Sequence, residues 1–105
     1  ALAFAPGDEG VLVDRLLEGL GDTEIVWAAA SALRWFPKQA SRTVPALVEA
    51  LLALPADSPY RFTVFWAPVF LTRGWPGARV WVEQRRETAT EAQQKTLDEL
   101  LSKMR

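Results

Sequence analysis

A chain of 105 residues suffices for one small domain or a segment of a larger one. Half its residues are apolar, and 12 Lys and Arg stand against 13 Asp and Glu, a globular composition that excludes a disordered chain. Cysteine and histidine are both absent, which excludes disulfides, thiolate nucleophiles, imidazole bases and Cys or His metal sites.

The first segment, residues 1–5, reads as the last turn of a helix, followed by a turn at Pro6-Gly7-Asp8. Residues 10–20 read as a helix, because Val13, Leu16, Leu17 and Leu20 recur at i, i+3, i+4, i+7. Gly21 and Asp22 open a turn in which Asp22 or Thr23 N-caps the next helix. That helix is expected over 24–36, with the stripe Val26, Ala29, Ala30 and Leu33, and Pro37 ends it. A further helix is expected over 43–54, with Pro45 in its first turn, where no N–H is needed, and Pro55 behind it. The next helix is expected over 58–72, kinked by Pro68, with a break at Gly74-Trp75-Pro76-Gly77. Residues 78–87 read as either a helix or a short extended piece. Thr88 to Glu91 has the spacing of a capping box, and the helix behind it carries Leu97, Leu100, Leu101 and Met104 on one face.

The chain also repeats. Residues 1–20 fall on residues 32–51 at an offset of 31, matching Ala1 with Ala32, Pro6 with Pro37, Leu16 with Leu47 and Glu18 with Glu49. Residues 22–36 fall on 56–70 at an offset of 34, where Val26 meets Tyr60 and Phe36 meets Phe70. The units are therefore 10–36 and 43–73, each a pair of helices. Residues 1–5 form the tail of a preceding unit, and 78–105 a C-terminal cap with one apolar and one polar face. The expected fold is all-α.

The stretch from Asp22 to Leu33 resembles the second helix of a HEAT-like repeat, of the short bacterial kind also seen in phycobilin-lyase-like proteins. Residues 12–20 and 44–52 resemble its first helix. Two positions depart from the pattern: Trp27 replaces the family arginine, although Arg61 stands at the matching place, and residues 62–66 are aromatic where the family uses alanines. The resemblance implies an α-solenoid of helical hairpins that binds other macromolecules along its stacked second helices, and an Asp22–Arg61 ion pair between units.

The candidate binding face lies opposite the second-helix core stripe. Trp27, Ser31, Arg34 and Lys38 recur along the first unit, and the repeat offset adds Arg61, Phe65 and Thr72. An exposed row of Trp, Arg and Phe has the composition of a protein-binding hot spot. Trp75, in its glycine-proline loop, is a further anchor, whereas Trp35 and Trp66 are expected in the core. Asp14 and Glu18, one helical turn apart, read as a solvated face with no third ligand or base beside them, so no catalytic, cofactor or metal site is expected. A net charge of −1 and a pI near 5.4 give no electrostatic draw toward nucleic acid or anionic lipid. The most apolar run, residues 62–71, contains Pro68 and is too short to span a bilayer. The expected function is a non-catalytic protein-interaction module, cytoplasmic, the C-terminal part of a longer array that self-associates where its N-terminal half-unit is uncovered. The alternatives are a nucleic-acid-binding module and a regulatory segment of an enzyme not contained in this chain.

Overall fold

The computed structural model describes residues 8–22, 25–55 and 57–104. The expected tail of a preceding unit at 1–5, its role in self-association and the capping role of Thr23 lie outside the described residues. Those residues form six α-helices, two single turns of 3₁₀ helix and no strand. The helices are α1 (Asp8–Gly19), α2 (Val26–Leu33), α3 (Ala40–Ala53), α4 (Arg61–Leu71), α5 (Ala78–Glu87) and α6 (Glu91–Lys103). The 3₁₀ turns are Pro37–Gln39, ahead of α3, and Thr72–Gly74, behind α4.

The apolar stripes are the core. Val26, Ala29, Ala30 and Leu33 of α2 are buried, as are Val13 of α1 and Leu97, Leu100 and Met104 at the end of the chain. Leu16 and Leu17 are half-buried against the same core. The helices pack as three successive pairs, α1 with α2, α3 with α4 and α5 with α6. Like members also pack on like: α1 and α5 on α3, α2 and α6 on α4. Residues 78–87 are thus a helix, the first of the two readings offered by their sequence.

Helix α3 begins at Ala40, three residues earlier than its proline suggested. Its buried face runs Ala40, Thr43, Val44, Leu47, Val48 and Leu51, so the first turn is held by core packing. Pro45 consequently sits inside the helix and forfeits the hydrogen bond to the carbonyl of Ser41. Pro68 is likewise inside α4, buried, and its own carbonyl accepts from the Thr72 hydroxyl at 2.8 Å.

The capping box before α6 stands two residues later than expected. Thr90 Oγ1 accepts from Gln93 N at 3.2 Å, and Gln93 Oε1 accepts from Thr90 N at 3.0 Å. The spacing occurs twice, at Thr88 and at Thr90; α5 runs to Glu87, and Thr88 closes it by donating its hydroxyl to the Arg85 carbonyl at 3.1 Å.

The two 3₁₀ turns lie against each other. A Cβ on Gly74 would stand 2.3 Å from the Pro37 carbonyl oxygen, so only glycine lets these backbones meet. That contact fixes where α2 and α4 end relative to one another.

Candidate functional site

Helices α2 and α4 run parallel. Trp27, at the start of α2, stacks on Tyr60 at the start of α4, with ring centroids 6.5 Å apart and planes inclined by 25°. Arg34, just past the end of α2, holds its guanidinium 4.9 Å over the ring of Phe70, near the end of α4. Helix α6 follows the same direction: Arg61 reaches Thr96, while Trp66 and Lys103 share clefts farther along. The C-terminal ends of α2, α4 and α6 therefore come to one edge.

Two aromatic ridges lead to that edge. Trp27 and Ser31 on α2 and Trp35 in the turn just beyond it follow one another at i, i+4, i+8, and Phe62, Trp66 and Phe70 do so along α4. Trp35 is 78% exposed, Phe62 73%, Phe70 55% and Trp27 46%. Trp66 is half-buried between Phe62 and Phe65, at centroid distances of 6.0 and 5.5 Å.

Three clefts line up along the ridges. The first lies between Arg34, Trp35 and Phe70. The second, of 460 Å³, shares Phe70 and adds Trp66, Arg73 and Lys103. The third, of 540 Å³, shares Trp66 and Lys103 and adds Phe62, Phe65 and Glu99. They make one continuous strip of aromatic rings and cations.

Charge is distributed unevenly around the molecule. Arg42 pairs with Asp14, Arg79 with Glu83, Arg85 with Glu49 and Arg86 with Asp98. The Arg85 guanidinium is bidentate on Glu49, at 2.6 and 3.2 Å, and that hydrogen bond raises its pKa. The Arg86 fork closes on Asp98 in the same way, which raises the arginine and holds the Asp98 carboxyl below the usual aspartate range. Arg34, Lys38, Arg73 and Lys103, by contrast, form no ion pair among the described residues.

The residues singled out by sequence divide. Trp27, Ser31 and Arg34 lie on the α2 side of the strip, and Lys38 is exposed in the turn beyond it. Phe65 lines the third cleft but is half-buried on the core. Arg61 faces inward: it donates to the Leu51 and Leu54 carbonyls, both at 3.4 Å, and to the Thr96 hydroxyl at 2.6 Å. Asp22 is not among these hydrogen-bond partners of Arg61, which closes the C-terminal end of α3 and ties it to α6. Trp75 is half-buried against the core, with Gly77 under its indole. Trp35 is the plainest reversal, since the sequence places it in the core and it is the most exposed large apolar residue among those described.

Phe62, Phe70, Arg73 and Lys103 belong to the strip and were not singled out. The signal was present for the aromatic residues. Spacing at i, i+4, i+8 sets Trp35 on the ridge of Trp27, and Phe70 on that of Phe62. Nothing local to Arg73 or Lys103 announces that the chain brings their helix ends together.

Comparisons with protein-family models, with curated proteins and with solved structures return no match.

Proposed function

We propose that this chain is a non-catalytic protein-interaction module, built of HEAT-like helical pairs stacked as an α-solenoid in the cytoplasm. The observation that carries the reading is the strip over α2 and α4, where Trp35, Phe62 and Phe70 stand largely in solvent beside unpaired cations. Monomeric proteins rarely leave contiguous aromatic surface uncovered. Aromatic residues and arginine are the side chains that dominate binding energy at protein interfaces. The pairing order of the helices supports the solenoid, since each pair packs on the next through like members.

The test is photo-crosslinking in the cells that express the protein, with benzoylphenylalanine at position 35 or 62 and, as a control, at position 83 on α5. A discrete protein adduct from 35 and 62, with none from 83, is expected. Adducts formed equally from all three positions, or from none, overturn the reading.

A further inference from the structure

We propose that the occupant of this strip is an acidic protein segment carrying aliphatic or aromatic anchors. The inference rests on the reading above and adds the partner's chemistry. Its basis is the charge of the strip. Arg34, Arg73 and Lys103 line the three clefts, with Lys38 in the turn alongside. The three helix ends beside them contribute about −0.5 each, roughly −1.5 together. Three full positive charges outweigh that, and Glu99 is the one carboxylate among the described residues lining these clefts. The strip stays positive on a chain whose net charge is −1.

The strip differs in charge from the face formed by α3 and α5. Four arginines on α3 and α5 are neutralised by carboxylates of the same chain, whereas Arg15 on α1 and Lys95 on α6, away from the strip, form no ion pair among the described residues. Arg34 lies on the Phe70 ring, and Arg73 and Lys103 line the same cleft as Trp66. An anionic group arriving there meets donors that need not first break an ion pair. The neighbouring clefts, of 460 and 540 Å³, admit apolar side chains between Phe62, Trp66 and Phe70. A bilayer surface would leave those clefts empty. A nucleic-acid footprint would make the chain strongly basic, which it is not.

The experiment is selection from a random 16-residue peptide library on the immobilised full chain. It is run in parallel on wild type, on W35A/F70A and on R73E/K103E, with thermal melting of each. Direct titrations with phosphatidylserine vesicles and with single-stranded DNA run beside it. Peptides enriched in Asp and Glu next to Leu, Phe or Trp are expected on wild type. They should be lost on W35A/F70A and replaced by basic peptides on R73E/K103E. For a selected peptide, replacing its acids by Gln should weaken binding at least tenfold, an arm that stands even if the charge-reversed variant fails to fold. Uncharged winners that W35A/F70A still abolishes would overturn the acidic partner and leave the binding face standing. Winners indifferent to W35A/F70A, or none, would overturn both. Vesicles or DNA binding more tightly than any peptide would overturn the proposal in favour of those ligands.

Discussion

The Arg34 guanidinium lies 4.9 Å over the centre of the Phe70 ring, joining the end of α2 to the end of α4. Both side chains also border a cleft whose third wall is Trp35. A cation on an exposed ring contributes about 0.5–1 kcal/mol. The pair therefore shapes the surface more than it holds the fold. Arg34→Ala is expected to cost under about 1 kcal/mol by chemical denaturation. A loss of several kcal/mol would make Arg34 part of the core.

Arg61 should behave in the opposite way. It serves two carbonyls at the end of α3 and the Thr96 hydroxyl of α6, so one side chain binds three helices. Arg61→Met leaves those acceptors without their donor, at a cost of about 1–3 kcal/mol. Thr96→Val should cost about 1 kcal/mol alone and little more on top of Arg61→Met. Full additivity in that double-mutant cycle would show that the two do not act together.

Gly74 is expected to tolerate no side chain. Gly74→Ala drives a methyl into the Pro37 carbonyl and must part the two 3₁₀ turns. Overpacking of this kind costs about 1–3 kcal/mol, or roughly 4–20 °C in Tm for a domain of this size. An unchanged Tm would mean that these turns do not meet.

Thr43 offers a gain. It is fully buried in α3, and its hydroxyl finds no hydrogen-bond partner among the described residues. Thr43→Val keeps the branched shape and removes the stranded polar atom, so stability should rise by about 1 kcal/mol. A fall would indicate that the hydroxyl is satisfied in solution.

Much of this architecture is legible in the chain. Period 3.6 stripes such as Val26, Ala29, Ala30 and Leu33 place a buried face wherever they occur, and all four are buried. Element ends were less legible. Ala40 and Pro45 show why: packing of the Ala40 turn overrode the proline, a tertiary effect no local pattern carries. The candidate face is half visible in the sequence. Trp27 and Arg34 stand out as off-stripe residues. Trp35 was assigned to the core because tryptophan is usually buried, although its spacing from Trp27 sets it on the outer ridge. Arg73 and Lys103 join the strip only through the meeting of the α4 and α6 ends.

Acid should loosen the last helix pair. Asp98 titrates below the ordinary 3.8 of an aspartate because the Arg86 fork holds its charged form. A lowered folded-state pKa gives stabilisation present above the unfolded value and lost as pH falls through the folded one. The Arg86–Asp98 contribution is thus constant near neutrality, begins to fade as pH falls past the ordinary aspartate value, and is gone only below the lowered folded-state pKa. Carbon-detected NMR of the Asp98 carboxyl should show the low titration. In Arg86→Gln it should return toward the ordinary value, and an unmoved midpoint would contradict the pairing.

The most direct test of the binding face is the affinity of W35A/F70A for the crosslinked partner, measured by calorimetry beside its Tm. Both side chains are more exposed than buried. Removing them should weaken binding at least tenfold while stability shifts by no more than about 0.5 kcal/mol each. Unchanged affinity, or a collapse of the fold, would contradict the account.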